Sequence, residues 1–430
     1  MSTETVISKR EAIANRLAAS VLERVATVAS CTERPGEILR TFLSPAMEEV
    51  HARIRPWFER VGMSVNVDAA GNLRALYGSE AGGASPVLII GSHLDTVPNA
   101  GAYDGVLGVV LGLALVEGLG GRRLPYAIEV IGFSDEEGTR FGLPFLGSRL
   151  LTEMPSEMGF LEGQDSSGAT IRQALGKYRI AHPEVIPSAL NPKTAGYLEF
   201  HIEQGPVLES RNLSLGVVES VVGQSRCHVI FHGSAGHAGT SPMPLRRDAL
   251  AAAALWITRC ESIAAGGDGL VATVGEILVK PGAVNVIPGT ALCSLDVRHR
   301  DDAVRTNAVE AMMKEACDIA AERGLVVEID QYHTQTAVQF DSEMISLAEK
   351  AVSDAGCGPI RMTSGAGHDA MVIAPHLPTV MIFLRSPGGI SHHPDESVLL
   401  EDVKVAIQAG LCFLAEFTLF LEKGGSNPRE

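Results

Sequence analysis

The chain has 430 residues, of which 46% are hydrophobic, and carries a formal net charge of -16. This length and apolar content suffice for two domains with sizeable cores and exclude a disordered or fibrous protein. The acidic balance, without a clustered basic surface, argues against a nucleic-acid partner. The most apolar run, Val106 to Leu119, is too short to span a bilayer, and the N-terminus lacks a signal-peptide pattern. We therefore expect a cytoplasmic protein without a membrane partner.

The first half of the chain changes from helical to strand periodicity. Residues 8–62 are predicted to be helical, with apolar positions at helical spacing in Ala12–Val28 and again in Ala46–Val61. Strands with glycine-rich turns follow Asp68. From Val87 to Glu203 strands alternate with helical stretches, which predicts βαβ units in a mixed central sheet flanked by helices. The run from Val106 to Leu119 is predicted to be a buried helix of this α/β domain.

The pattern changes again between residues 215 and 332. Strand, helix, strand, strand, helix and strand follow one another there, an order typical of a ferredoxin-like α+β domain. The chain then returns to a sheet-like strand, TVMIFL, and a helix from Leu400 to Leu421. We therefore expect a catalytic domain formed by residues 1–214 and 333–430, with residues 215–332 inserted into it.

Residues of metal-ligand type lie at or just beyond the ends of the predicted strands. Four segments contain them: GSHLDTVPNAGAYDG, SDEEG, FHIEQG and GGISHHPDE. The candidates are His93, Asp95, Asp104, Glu136, Glu137, His201, His392 and His393. Because ligands of open α/β sheets bind outside the carboxyl ends of the strands, we expect these segments to converge.

This set indicates a metal centre, because imidazoles and carboxylates are ligands of zinc and manganese ions. A lone His-x-Asp is more often a polar pair, and a Glu-Glu pair is usually exposed, but four such segments in one chain favour metal. A carboxylate that bridges two ions would give each ion three ligands and leave room for a shared water or hydroxide. Metal-bound water ionises near neutrality and becomes a nucleophile. The sequence thus predicts a hydrolase with two divalent ions, Zn or Mn, with Co or Ni also compatible.

Eight motifs carry a resemblance to a known family. In chain order they are GSHLDTVPNAGAYDG, DEEGTRFG, HIEQGPVLE, GHAGTSPMPLRRDA, GAVNVIPG, DVRHRD, SGAGHDA and GISHHPDE. They resemble, over nearly the whole chain, the dinuclear metal amidohydrolases that include N-carbamoyl-L-amino acid hydrolase, allantoate amidohydrolase and β-ureidopropionase. The resemblance implies a zinc-peptidase-like catalytic domain, a lid or dimerisation domain, and a homodimer. It also implies hydrolysis of a ureido C–N bond in a small carboxylate, releasing ammonia and carbon dioxide; RTFLSPAM favours allantoate over an N-carbamoyl-L-amino acid.

The resemblance further implies roles for the candidate ligands. One ion would be held by His93, Asp104 and His201, and the other by Asp104, Glu137 and His392. Glu136 would be the general base that takes a proton from the bridging water and returns it to the leaving nitrogen, while Asp95 would orient His93. His393 departs from the family pattern, in which a small or amide residue follows the liganding histidine.

Four further residues match family positions that bind the substrate carboxylate and polarise the scissile group: Gln204, His237, Asn285 and Arg298. Arg298 offers a planar fork for a carboxylate, Asn285 an amide donor, and His237 a donor for the oxyanion. On the residues alone, a supporting role in a turn is favoured for Asn285 and a surface position for Arg298. In relatives the inserted domain mediates dimerisation and closes over the active site. His237 therefore serves the active site either of its own subunit or of the neighbouring subunit.

Two other functions stay open at this stage. A dinuclear aminoacylase or dipeptidase shares the first metal motif and the base, but its relatives carry an acidic ligand where this chain has His201. A metal-dependent small-molecule binding protein would keep the pocket without turnover, and the intact Glu136 argues against that alternative. Measured hydrolysis of ureido and peptide substrates distinguishes the three.

Overall fold

The structure, a computed structural model, describes residues 3–83, 85–152 and 159–424. It divides into two compact units. Unit 1 is formed by the chain up to Glu219, by Phe340–Met362 and by the chain from His368 onward; unit 2 is formed by Ser220–Gln339 and Thr363–Gly367. The borders after Glu219 and Gln339 lie a few residues beyond the predicted limits at 214/215 and 332/333. The segment Thr363–Gly367, predicted to belong to the catalytic domain, clusters with unit 2 because the strand Arg361–Ser364 runs across the border.

The elements were assigned over the described residues. The helices are α1 (Thr3–Ala29), α2 (Pro45–Arg60), α3 (Val106–Gly118), α4 (Leu146–Thr152), α5 (Ile171–Ala181), α6 (Val207–Ser210), α7 (Ala249–Ala265), α8 (Asp302–Glu322), α9 (Ser342–Asp354), α10 (Asp369–Ile373) and α11 (Leu400–Glu422). The strands are β1 (Ser64–Val67), β2 (Leu73–Tyr77), β3 (Val87–His93), β4 (Ala127–Phe133), β5 (Thr194–Ile202), β6 (Leu215–Val221), β7 (Gly223–His232), β8 (Gly236–His237), β9 (Val271–Thr273), β10 (Ile277–Lys280), β11 (Val286–Ile287), β12 (Thr290–His299), β13 (Val326–Gln335), β14 (Val338–Gln339), β15 (Arg361–Ser364) and β16 (Thr379–Leu384).

The central sheet of unit 1 is mixed, as predicted. Its strands run in the order β1-β2-β4-β3-β5-β16-β6. The four middle strands, β4, β3, β5 and β16, are parallel, and antiparallel strands flank them on both sides. Every residue of β3, β4 and β16 is buried, as expected for parallel strands covered on both faces. The carboxyl ends of these four strands therefore meet at one edge.

Helices cover both faces of this sheet. Two adjacent residues of β5 show this, because successive side chains of a strand point to opposite faces. A side chain at Gly410 of α11 would touch Phe200, whereas Glu199 accepts the backbone N–H of Ala370 in α10. Helix α3 packs beside α11 on the Phe200 face, since the Cβ added at Gly410 would also lie 2.6 Å from Leu115 of α3. The predicted buried helix at Val106 is confirmed.

Unit 2 has the predicted order of strand, helix, strand, strand, helix and strand. Its main sheet runs β10-β12-β7-β13, with the short β9 also paired to β12. Along β7 and β12 buried and half-buried residues alternate, and the buried ones pack against α7 and α8. The indole N–H of the buried Trp256 in α7 donates to the carbonyl oxygen of Met312 in α8 at 2.9 Å. One face of the sheet thus carries the core of this unit.

The predicted helices in residues 8–62 and at Leu400–Leu421 are present as α1, α2 and α11. The helical pattern of residues 8–62 is interrupted between α1 and α2, where Ser44 caps α2 and Pro45 occupies its first turn. Among the described residues, α11 is the one helix long and apolar enough to cross a membrane. It packs against α1, α3 and α9, and Phe413 and Phe417 are fully buried there. It is thus a core helix of unit 1, and the cytoplasmic location stays a prediction.

Candidate metal centre

The topology of unit 1 brings the predicted ligands to one edge of its sheet. His93 is the last residue of β3 and His201 lies one residue before the end of β5. Glu137 follows β4 by four residues, and His392 lies in the loop after β16. Asp104 comes directly before Gly105, the residue that caps α3. Since β3, β4, β5 and β16 are parallel, all of these side chains lie beyond the same carboxyl ends.

Asp104 stands between two groups of ligand-type atoms. Its Oδ1 lies 3.3 Å from His93 Nε2 and 3.1 Å from His201 Nε2. Its Oδ2 lies 3.3 Å from His392 Nε2, which is itself 3.3 Å from Glu137 Oε1. Each carboxylate oxygen of Asp104 therefore faces a different set of partners. This is the geometry required of a carboxylate that bridges two ions.

The first set of atoms fits a cation. His93 Nδ1 lies 3.1 Å from the carbonyl oxygen of Asp95, and His201 Nδ1 lies 2.9 Å from that of Ile202. Since a carbonyl oxygen only accepts, each Nδ1 carries a proton, and each Nε2 of the neutral imidazoles would present a lone pair to a cation. The two Nε2 atoms are only 3.4 Å apart. Within the described part of the chain, the buried Asp104 Oδ1 has no hydrogen-bond donor. Against the lowering effect of burial, hydrogen bonds to Asp104 raise the pKa of both imidazoles, so a bound cation would take the place of the Nε2 protons. Two imidazole nitrogens and a carboxylate oxygen that converge in this way suit a divalent metal.

The second set differs in exposure. The side chain of His392 is 48% exposed, and that of Glu137 is 11% exposed. Hydrogen bonds to Asp104 and then Glu137 raise the pKa of His392 to about 10. The adjacent His393 points elsewhere, since its Nδ1 accepts the N–H of Asp395 at 3.2 Å. The structure thus brings His392, and not His393, to the carboxylates.

Asp95 anchors the loop that carries the candidate base. Its two carboxylate oxygens accept the backbone N–H groups of Glu136 at 2.9 Å and Glu137 at 3.0 Å. Its Oδ1 also lies 3.4 Å from His93 Nδ1. Asp95 is completely buried, so these charge-assisted bonds are shielded from water. One carboxylate therefore fixes the end of β3 relative to the loop after β4.

Glu136 is a buried acid close to the candidate ligands. A ligand-type oxygen of its carboxylate lies within 4.8 Å of such atoms in His93 and Glu137. Burial, followed by the charges of Glu137 and Asp369, raises the pKa of Glu136 well above its usual range. Asp135 is buried as well, so the acidic run is not a solvated surface. Such an environment favours proton uptake by Glu136.

The remaining predicted residues are divided between the units. In unit 1, Gln204 Nε2 donates to Asp104 Oδ2 at 3.0 Å. In unit 2, His237 and Asn285 lie on the paired strands β8 and β11 or beside them, and the carbonyl oxygen of Asn285 accepts the N–H of Ala238 at 2.9 Å. Both side chains are exposed.

Arg298 is held within unit 2 by two partners. Its Nε and Nη2 bind the two oxygens of Asp296 at 2.8 and 3.1 Å, and its Nη1 donates to the carbonyl oxygen of Gly365 at 2.7 Å. A guanidinium has five N–H groups, so one on each Nη is left for another acceptor. The side chain is 33% exposed. Among the described residues, Arg298 thus keeps one free N–H on each Nη for a further acceptor.

A buried polar layer behind the centre was not predicted. Glu199 accepts bonds from Tyr197 and from the backbone of Ala370, and the ring of His368 lies 4.4 Å from that of His201. Ligand-type atoms of Glu199, His201 and His368 lie within 4.8 Å of one another. The SGAGHDA motif that contains His368 was recognised, but no local spacing connects it to β5, more than 160 residues earlier.

The chain is similar to known proteins over most of its length. Residues 89–416 match the model of Peptidase family M20/M25/M40. A probable allantoate deiminase of Oryza sativa subsp. japonica is 37% identical, over 89% of this chain and 85% of that protein. An N-carbamoyl-L-amino acid amidohydrolase of Geobacillus stearothermophilus is 36% identical, over 86% and 91%. An amidase of the hydantoinase/carbamoylase family from Burkholderia multivorans superposes with a TM-score of 0.87 at 31% identity, over 93% and 97%.

The chain belongs to Peptidase family M20/M25/M40. The mixed α/β fold with a central mixed sheet, predicted from the sequence, is confirmed by the structural match. The predicted class, an amidohydrolase that acts on non-peptide C–N bonds, is confirmed by the relatives.

Proposed function

We propose that this protein hydrolyses a ureido C–N bond of allantoate, with N-carbamoyl-L-amino acids as the alternative substrates. In this reaction R–NH–CO–NH2 and water give R–NH2, carbon dioxide and ammonia. The observation that carries the proposal is the pair of ligand sets that share Asp104, with Glu136 beside them. The names of relatives that align over most of the chain support the substrate class.

Two divalent ions fit the site as its cofactor. His93, Asp104 and His201 would hold one, and Asp104, Glu137 and His392 the other. When bound, such ions supply Lewis acidity, which polarises the scissile carbonyl and lowers the pKa of water. Zn and Mn suit the mixed imidazole and carboxylate donors, and so do Co and Ni.

The chain's own residues then move protons. Glu136 takes a proton from the attacking water and delivers it to the nitrogen that leaves as ammonia. The raised pKa of Glu136 matches this role, because a base that must later act as an acid works best when its pKa lies near the working pH. Asp95 holds Glu136 in place through the backbone and keeps the proton of His93 on Nδ1.

Substrate recognition is assigned to Gln204 and to three residues of unit 2. Arg298 would bind the carboxylate through its two remaining N–H groups, Asn285 would add an amide donor, and His237 would stabilise the oxyanion. This assignment gives unit 2 the role of a lid, and its further role in dimerisation is what the family resemblance implies. Light scattering coupled to gel filtration checks the expected homodimer, and a mass equal to one chain would contradict it.

The proposal is tested by measuring ammonia release. Metal-stripped protein is reloaded with Mn(II) and offered allantoate beside a panel of N-carbamoyl-L-amino acids, N-acetyl amino acids and dipeptides. The Glu136→Gln variant controls for contaminating activity. We expect allantoate to be turned over fastest. Faster hydrolysis of a carbamoyl amino acid would make that compound the substrate. Faster hydrolysis of acetyl or peptide bonds would favour the aminoacylase or dipeptidase alternative. No hydrolysis of any compound would favour a binding protein.

A further inference from the structure

Glu396 is a buried carboxylate four residues beyond His392, and its contacts are with the loop that carries Asp104. It is 5% exposed. Its Oε1 accepts the backbone N–H of Tyr103 at 2.8 Å and that of Asp104 at 3.0 Å. Hydrogen bonds to a charged acceptor are roughly twice as strong as neutral ones. Glu396 thus holds the backbone of the candidate bridging residue from a segment 292 positions away in the chain.

The other oxygen of Glu396 faces the loop that carries His392. The hydroxyl of Ser391 lies 3.3 Å from Glu396 Oε2 and 3.0 Å from Asp104 Oδ2. The backbone N–H of Glu396 also donates to the carbonyl oxygen of His393 at 3.0 Å, which closes the turn after His392. His392 itself has a left-handed backbone conformation, with φ at 54°. A tightly bonded turn is what holds a residue other than glycine in that conformation.

Gly101 packs directly against the side chain of Glu396. A Cβ added at Gly101 would lie 2.4 Å from Cβ, Cδ and Oε1 of Glu396. The backbone of Gly101 is not left-handed, so an alanine there would act by contact and not by backbone strain. The Gly101 position therefore offers a way to displace Glu396 without changing its chemistry.

We propose that Glu396 is a positioning residue, which sets the distance between Asp104 and His392 and thereby the geometry of the two-ion site. This inference rests on the proposed function, because it takes Asp104 and His392 as ligands. Glu396 does not touch the reacting atoms and acts through the two loops. Partners of metal ligands of this kind contribute about 10- to 100-fold to metal affinity or activity.

The test compares Glu396→Ala, Glu396→Gln and Gly101→Ala with the control Glu401→Gln, whose side chain is 68% exposed in wild type. Binding of Mn(II) to the metal-stripped proteins is titrated by electron paramagnetic resonance, and kcat and KM are measured with the fastest substrate. We expect Glu396→Ala and Gly101→Ala to weaken Mn(II) binding at least about tenfold. We expect Glu396→Gln, which keeps an oxygen for both N–H groups, to recover most of that loss. The fall in activity should lie in kcat, with KM changed less than about threefold.

Folding is checked by thermal unfolding of the metal-stripped proteins. If Glu396→Ala does not fold, Gly101→Ala and Glu396→Gln carry the test. Wild-type Mn(II) affinity in folded Glu396→Ala or Gly101→Ala would overturn the proposal, as would an equal loss in Glu401→Gln. Failure of the proposed function is a separate result: wild type would then bind Mn(II) without hydrolysing any ureido substrate, and the metal titrations would still decide the role of Glu396.

Discussion

Gly105→Ala should remove His93 from the metal centre. Gly105 has φ 70° and ψ -55° and lies directly against the imidazole of His93. A Cβ there would be 2.5 Å from Cγ, Cδ2 and Cε1 of that ring, whereas ordinary contact begins at 3.4 Å. The ring must therefore recede by about 0.9 Å, and metal–ligand distances tolerate only about 0.2 Å. His93 is 1% exposed and its Nδ1 is fixed by Asp95, so the ring cannot recede and still bind.

The expected result is a loss of at least about 100-fold in Mn(II) affinity, equivalent to roughly 2.7 kcal/mol. The assay is titration of the metal-stripped protein with Mn(II), followed by electron paramagnetic resonance. Gly120→Ala is the matched control, because Gly120 has φ 60° and no neighbouring atom within 4 Å of an added Cβ. Both alanines would have a positive φ, which strains an L-residue, but only the one at position 105 meets a ligand. Wild-type affinity in folded Gly105→Ala would refute the assignment of His93.

Three further predictions concern the base, the second ligand set and the substrate carboxylate. Glu136→Gln should lower kcat by about 10²- to 10⁴-fold and leave Mn(II) affinity within about threefold, because it removes the base but no ligand; loss of bound metal in the titration would contradict this. His392→Ala should weaken Mn(II) binding whereas His393→Ala should not, and equal losses would reverse the choice of imidazole. Arg298→Lys should raise KM for carboxylate substrates about 10- to 100-fold, because a lysine ammonium cannot bind Asp296 and also both oxygens of a substrate carboxylate. An unchanged KM in steady-state kinetics would remove Arg298 from the binding site.

The positions of the candidate ligands were most predictable from the sequence where these residues lie at or just after the end of a strand. A parallel strand brings its carboxyl end to a known edge of the sheet, so ligand-type residues after β3 and β4 could be placed near one another without coordinates. The elements of unit 2 were predictable for a similar reason. Its strand-type and helix-type hydrophobic patterns follow one another in an order that few folds share. In both cases the local sequence pattern and the topology of the fold predict the same placement of the elements.

Contacts between distant segments were not predictable. The helical spacing in Ala12–Val28 and Ala46–Val61 left a gap between the two stretches, but it gave no sign that the fully buried Arg40 in this gap donates to the carbonyl oxygen of Leu94 at 2.7 Å. Glu396 belongs to a recognised motif, but its partners Tyr103 and Asp104 lie almost 300 residues earlier. Such bonds depend on which loops tertiary packing brings together, and periodicity carries no information about that.

The measurement that tests the central claim most directly is anomalous X-ray diffraction from crystals of the Mn(II)-loaded protein, recorded on both sides of the manganese edge. We predict two peaks about 3.5–4 Å apart, one on each side of the Asp104 carboxylate. One peak should contact His93 and His201, and the other Glu137 and His392. A single peak, or a pair that does not share Asp104, would contradict the two-ion centre on which the proposed function depends.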